Sequence, residues 1–298
     1  MTQPLQAEKT VLIDDRTYTV LSVKQGGMGR VWILAQTFDE PFDPIYRRQI
    51  AVKTFDQGSE RRRIEEELNI WISLQNPFIL PLKKIGRLNY RLAAIMPLMA
   101  GSLDDLLEKH GSVSEQNVAQ LLRDTINALS YAWNTFKILH LDLKPSNILI
   151  EDESAHAIKV ADWGISRLAA DRRVSRGFSV ARDRAGHYEL HTAYSAGTPL
   201  FMAPERFSGK WSLSPAVDIY SLGMMAIHLN TGVLPFRFGE VDPGIEISQG
   251  SYYSNAQLLL EQRSPAFRRL CLCCIHPDPA ERASGYEDVL RMLKTVPS

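Results

Sequence analysis

His140-Leu141-Asp142-Leu143-Lys144-Pro145-Ser146-Asn147 is the stretch on which the reading of this chain turns. It sets a carboxylate, an ammonium group and an amide at Asp142, Lys144 and Asn147, with Pro145 restricting the backbone between them. Val160-Ala161-Asp162-Trp163-Gly164 follows and adds a second carboxylate ahead of a glycine. An Asp in a loop near a Pro is usually a turn former. The spacing from Asp142 to Asn147, with Lys144 inside it, argues for chemistry instead.

Phosphoryl transfer from ATP needs such a set: a carboxylate to orient a hydroxyl, a cation on the moving phosphate and oxygen ligands for Mg²⁺. The order resembles H-R-D-x-x-x-x-N followed by D-F-G, which belong to protein kinases. The resemblance implies that Asp142 takes or orients the hydroxyl proton and that Lys144 neutralises the transferred phosphate. Asn147 and Asp162 would ligate Mg²⁺, or Mn²⁺ in its place. Two residues depart from the pattern. Leu141 replaces the Arg that in the family receives an activation-loop phosphate, so activity is expected without such a phosphate. Trp163 replaces Phe and, if buried, needs a partner for its indole N–H.

Upstream, Thr17 to Val23 alternates and is rich in β-branched residues, which predicts a strand. Gln25-Gly26-Gly27-Met28-Gly29 breaks it, and Arg30 to Leu34 forms the returning strand. A glycine hairpin lets backbone N–H groups approach phosphates, although most glycine turns are only turns. Ile50-Ala51-Val52-Lys53-Thr54-Phe55 is the next strand. These segments resemble the kinase patterns G-x-G-x-x-G-x-V and V-A-I-K, with Gly26, Gly29 and Val31 matching the first and Ala51 and Lys53 the second. Lys24 occupies the first glycine position, which is expected to stiffen the loop entrance. The Gly26-Gly27-Met28-Gly29 version is similar to bacterial Hanks-type Ser/Thr kinases.

By the same resemblance, Lys53 lies over the phosphates and needs a carboxylate to hold it. Arg61 to Leu74 predicts a helix with Ile64, Leu68, Trp71 and Ile72 on one face, ended by Asn76-Pro77. Counting back from Pro77 puts Glu67 in the pairing position. Glu65 and Glu66 adjoin it, so a slip of register stays open, as does a plain solvated face. Leu92 to Met96 predicts a buried strand running into a stiff connector. The resemblance makes Met96 the gatekeeper and Pro97, Leu98 and Met99 the hinge that binds adenine, with Leu149 joining that set. An ordinary interdomain linker is compatible with the same residues.

Gly101-Ser102-Leu103 is expected to open a short helix through Lys109, and Ser114 to cap a long one reaching Phe136. Asp162 to Glu205 forms a long loop whose hydroxyls include Ser175, Ser179, Thr192 and Ser195. Arg172-Arg173-Val174-Ser175 resembles a substrate of basophilic kinases, so Ser175 is an expected autophosphorylation site; a solvated basic loop is the alternative. Gly197-Thr198-Pro199 through Ala203-Pro204-Glu205 resembles a Ser/Thr-kinase segment, and Thr198 joins Lys144 in implying hydroxyl substrates of that type. Glu205 is expected to pair with Arg282, and Asp218 to bond backbone of the catalytic segment at the start of a central buried helix. The resemblance also stacks Leu82, Trp71, Trp163, His140 and Asp218 into one spine. Phe236 to Ser254 is expected to be loop, then a helix near Asn255 to Gln262, and a last helix from about Ser284 to Lys294.

The composition is that of a globular protein, with 45% apolar and 23% charged residues in 298. A formal net charge of zero offers no global attraction to nucleic acid or anionic membrane. The start, Met1-Thr2-Gln3-Pro4, has no apolar run or basic residue, so no signal peptide is expected, and the end at Ser298 is compatible with a domain cut from a longer chain. Cys271, Cys273 and Cys274 lack a second pair for zinc and are expected to be buried thiols of a cytoplasmic protein.

These motifs identify the chain as resembling eukaryotic-like (Hanks-type) Ser/Thr protein kinases over nearly its whole length. The implied fold is α+β and bilobal: an antiparallel β-sheet N-lobe with one main helix (about 10–96), a hinge (97–101) and a mostly helical C-lobe (102–296). The implied partners are ATP, Mg²⁺ and protein substrates bearing Ser or Thr, with no nucleic acid and no membrane. An inactive scaffold and a small-molecule phosphotransferase are the rivals. Lys53, Glu67, Asp142, Asn147 and Asp162 argue against the first, and Ala203-Pro204-Glu205 with the helix at Asp218 against the second.

Overall fold

The computed structural model describes residues 10–14, 16–26, 29–36, 49–55, 61–152, 157–163, 167–168, 181–182, 188–189, 199–207, 214–236 and 243–297. They form two compact units. One comprises the described residues to Gln75 with Ile79–Met99; the other comprises Asn76–Phe78 and the described residues from Ala100 onward.

The first unit is a closed antiparallel barrel of β1 (Thr10–Ile13), β2 (Arg16–Gly26), β3 (Gly29–Gln36), β4 (Gln49–Phe55), β5 (Lys84–Leu88) and β6 (Arg91–Pro97), in the order β1-β2-β3-β4-β6-β5. β1 does not figure in the sequence reading. It is short, but it alternates, with Val11 and Ile13 buried and Thr10 and Leu12 exposed. It pairs with β2 from Thr10↔Thr19 to Ile13↔Arg16 and meets β5 at Ile13↔Leu88. Closure leaves no open edge along that side. It also encloses a core of Val11, Ile13, Tyr18, Leu34, Ile50, Val52, Leu88 and Ile95, each no more than 2% exposed. Asn89 and Tyr90 link β5 to β6 with φ of 46° and 67°, the left-handed pair of a two-residue hairpin turn.

The helix of this unit, α1 (Arg61–Ser73), buries Leu68 and Trp71, and the Trp71 indole donates to the Leu80 carbonyl at 2.8 Å. Ile72, expected on the buried face, is 38% exposed. The chain turns at Ser73, where Leu74 N donates to Trp71 O at 3.0 Å, and Leu74 is the residue folded inward.

The second unit is mostly helical. β7 (Gly101–Ser102) leads into α2 (Leu103–His110), capped by Ser102 and Asp105 reciprocally. α3 (Glu115–Phe136) starts at the Ser114 cap and ends where Lys137 turns left-handed (φ 57°) into β8 (Ile138–Leu139). β9 (Ile148–Ile150) and β10 (Ile158–Val160) form a hairpin with β7 on its flank. α4 (Ala216–Thr231) is buried on nearly every side. At Gly223 a Cβ would stand 2.6 Å from the Cβ of Cys274, so glycine is what lets α4 approach α7 (Pro265–Cys274).

Between α4 and α7 the stretch expected as loop contains a helix, α5 (Pro243–Gln249), and the helix expected near Asn255 to Gln262 is α6 (Ser251–Leu259), which starts and ends a few residues earlier. The Gly, Pro and Ser content that reads as loop is used as punctuation. Gly250 adopts φ 72° and separates the helices, while Ile247, Tyr252 and Ala256 bury their inner sides. The last helix is α8 (Tyr286–Leu293). No described helix is long and apolar enough to cross a membrane.

Candidate functional site

The segment from His140 to Asn147 follows β8 and is held from below by one carboxylate. Asp218, in the first turn of α4 and fully buried, accepts from His140 N and Leu141 N at 2.9 Å each and from the Tyr286 hydroxyl of α8 at 3.0 Å. A carboxylate taken out of water is tolerated only where hydrogen-bond donors replace the solvent, and here three do so. Burial, with the Asp218 charge beside it, pushes the Tyr286 hydroxyl well above its usual range and keeps it a donor. The His140 ring works in both directions. Asp142 N donates to Nδ1 at 3.2 Å, so Nε2 carries the proton that meets the Ala161 carbonyl at 2.9 Å.

Three of the residues singled out by spacing meet here. Lys144 Nζ reaches the Asp142 carboxylate at 2.8 Å, and Asn147 Nδ2 donates to the same oxygen at 3.0 Å and to the Asp142 carbonyl at 2.7 Å. The spacing works because Pro145–Asn147 is a turn of 3₁₀ helix, which folds the amide back onto the loop that precedes it.

The hairpin of β9 and β10 brings in the second carboxylate. Ile148 faces Val160, so Asn147 and Ala161 come together, with Ala161 N donating to Asn147 O at 2.9 Å. Asp162 follows in a left-handed conformation, φ 63°, and Leu141 has φ 69°. Such backbone in non-glycine residues is kept only where its surroundings over-determine it, and it gathers at working sites. Trp163 is fully buried, gives its indole N–H to Val160 O at 3.2 Å and packs against His140 at 4.8 Å between centroids. The N–H partner that the sequence demanded is therefore backbone.

The implied metal ligands are chemically suited to Mg²⁺. An amide oxygen from Asn147 and the Asp162 carboxylate are hard donors, and the two bonds from Asn147 Nδ2 turn its oxygen away from Asp142. Among the described residues no group of three or more His, Cys, Asp or Glu could hold a metal alone. Mg²⁺ commonly takes one or two carboxylates and completes its shell with phosphate and water.

In the first unit, Val31 and Lys53 are register partners, Lys53 is opposite Ala94, and Ala51 is opposite Met96. Facing pairs and alternate positions share a side of the sheet, so Val31, Ala51, Lys53 and Met96 lie on one face. Lys53 and Glu67 are each 9% exposed, and Lys53 Nζ stands 5.5 Å from the Phe55 ring. Gly26 pairs with Gly29 at the hairpin end. Gly29 has φ 143°, and a Cβ there would lie 1.9 Å from Thr54 O. Pro97 ends β6, Leu98 and Met99 are half-buried beyond it, and Leu149 is half-buried on β9. Gly27, Thr198, Ser175, Ser179, Thr192 and Ser195 lie outside the described residues.

Glu205 meets Arg282 through both terminal nitrogens, as expected, and Arg282 stacks 5.0 Å above the Tyr220 ring. Two supports escaped the sequence reading. Tyr286 reaches Asp218, and the Arg206 guanidinium donates to the Leu141 carbonyl at 2.5 Å. Both come from segments distant in sequence, where no local spacing could announce them.

Comparison with known proteins adds independent findings. The family model described as the protein kinase domain matches residues 40–293. The chain is 28% identical to mitogen-activated protein kinase kinase 1 of Arabidopsis thaliana over 89% of its own length and 70% of the relative's. It is 28% identical to the carbon catabolite-derepressing protein kinase of Candida tropicalis, over 79% of this chain but only 34% of that protein. The solved structure of Rad53 residues 1–466 in complex with AMP-PNP shares the fold, with a TM-score of 0.66 and 24% identity over 95% of this chain and 64% of that one.

Proposed function

Because this chain belongs to the protein kinase domain family, we propose that it transfers the terminal phosphoryl group of ATP to Ser and Thr hydroxyls of proteins. The observation that carries this reading is the Asp142 carboxylate, which accepts Lys144 at 2.8 Å and Asn147 at 3.0 Å within one loop. The relatives named for such an activity support it.

In this reading Asp142 accepts the hydrogen bond of the incoming hydroxyl and aims its oxygen at the terminal phosphorus. Lys144 leaves the carboxylate to follow the charge of the moving phosphoryl group. Asn147 and Asp162 would hold Mg²⁺, which neutralises phosphate charge when bound. Val31, Ala51 and Met96 offer the nucleotide an apolar sheet face, and Lys53, held by Glu67, its cation. Gly26, Gly27 and Gly29 present backbone N–H groups, Pro97 to Met99 and Leu149 serve the base, and Thr198 serves the substrate hydroxyl. Residues 10–96, 97–101 and 102–296 are taken as N-lobe, hinge and C-lobe of one kinase domain. Three free thiols, buried at Cys271 and Cys274 but only half-buried at Cys273, where burial was expected, support a cytoplasmic setting. Ser175 is the proposed autophosphorylation site, and intact mass after incubation with ATP would read it.

Transfer of label from ATP to a generic protein substrate tests the proposal. Wild type should yield phosphoserine and phosphothreonine, and Asp142→Asn should lose about 10²-fold or more of the turnover. Equal labelling by the two proteins would sink the assigned base, and label on a small-molecule alcohol alone would favour the rival phosphotransferase.

A further inference from the structure

We propose that Arg206 is a positioning residue for Asp142, acting through the peptide that precedes it. The inference rests on the role given to Asp142 above. Arg206 lies in the 3₁₀ turn Pro204–Phe207 and is 4% exposed. Its Nη1 donates to the Leu141 carbonyl at 2.5 Å. That carbonyl and the Asp142 N–H belong to one planar peptide unit. The N–H end is held by His140 Nδ1 at 3.2 Å. The plane is therefore gripped at both ends, by a guanidinium and by an imidazole.

The grip falls where the backbone needs it. Leu141 has φ 69°, and its own N–H is already tied to Asp218 at 2.9 Å. With φ fixed on one side, rotation of the next peptide plane is the remaining soft motion, and it would swing the Cα–Cβ bond of Asp142. A guanidinium stays charged at any working pH, and its hydrogen bonds are stronger than neutral ones. The turn that aims it is itself anchored. Arg206 N closes on Ala203 O at 3.0 Å, and the preceding residue, Glu205, is pinned by Arg282 at 2.7 and 2.9 Å. Arg206 thus orients the carboxylate without needing to touch substrate.

The experiment compares Arg206→Met and Arg206→Lys, each alone and with Asp142→Asn, in transfer from ATP to a generic protein substrate, alongside thermal unfolding. Arg206→Met should lower kcat about tenfold or more, as misplacement of a reacting group does, with the KM for ATP within about twofold of wild type. Arg206→Lys, which keeps a charged donor, should recover most of that loss. On the Asp142→Asn background, Arg206→Met should cost nothing further, since no carboxylate remains to aim. If Arg206→Met is unfolded at the assay temperature, Arg206→Gln, which removes the charge but keeps a polar side chain, carries the test: a kcat loss that vanishes on the Asp142→Asn background upholds the inference, and full turnover or an equal loss on both backgrounds overturns it. Full turnover by Arg206→Met beside an inactive Asp142→Asn would overturn this inference alone. An equal loss on both backgrounds would reduce Arg206 to a merely structural residue. Full activity of Asp142→Asn would remove the functional reading and this inference with it.

Discussion

Glu205 receives both terminal nitrogens of Arg282, at 2.7 and 2.9 Å, across 77 residues of sequence. The Arg282 side chain has no exposure and Glu205 little, so this is a desolvated pair rather than a surface one. Glu205→Ala leaves the guanidinium buried without its carboxylate and should cost about 3–5 kcal/mol. Urea unfolding would read this as a lower midpoint with an unchanged slope.

Tyr286 should matter through Asp218. Tyr286→Phe removes the hydroxyl 3.0 Å from a fully buried carboxylate and changes little else. A loss of about 1–3 kcal/mol is expected. Chemical denaturation of the two proteins side by side measures it, and a neutral result would mean that the two backbone N–H groups alone satisfy Asp218.

In the proposed reaction Lys144 is the movable cation. Lys144→Ala should leave folding near wild type, because Lys144 and Asp142 are each partly exposed. Turnover should fall about 10²-fold, the usual loss when one group that stabilises transition-state charge is removed. Steady-state kinetics with ATP varied would place the effect in kcat rather than KM.

The thiols should be inert in the folded protein. Burial pushes Cys271 and Cys274 well up, and Cys273 up as well. A thiolate-directed reagent near neutral pH should leave Cys271 and Cys274 untouched and react with all three only after denaturation. Peptide mapping locates the label.

His228 should make stability depend on pH. Burial holds its imidazole below the ordinary value of 6.5, against the opposing influence of the Val233 backbone and Asp104. As pH falls below about 6.5 the unfolded chain takes up a proton that the folded chain resists, so folding is weakened by acid in that window. Above it the contribution vanishes. His228→Asn should flatten the slope of stability between about pH 7 and pH 5 in denaturant titrations.

Much of the site was legible in the sequence because it is local. Asp142, Lys144 and Asn147 sit within one loop and one 3₁₀ turn, so their spacing already implies their meeting. Val31, Ala51, Lys53 and Met96 share a face because strand periodicity is two, which alternation also reveals. α5 and the first turn of α6 were read as loop because Gly250 and the serines carry the composition of a loop while serving to separate two short helices. β1 passed unnoticed because a strand of four residues has too few alternations to stand out.

The amino-acid sequence by itself determined the family, most of the longer strands and helices though not β1, β5, α5 or the short strands β7 to β10, and the side chains available for chemistry. Those follow from local propensity and short spacing. Tertiary structure alone decided how the His140–Asn147 segment is held. Its left-handed residue, Leu141, is secured by Asp218 of α4 and by Arg206, and Asp218 by Tyr286 of α8. No propensity favours that backbone in a leucine; it persists because charged and hydrogen-bonded groups, far apart in the chain, close on it once their helices pack.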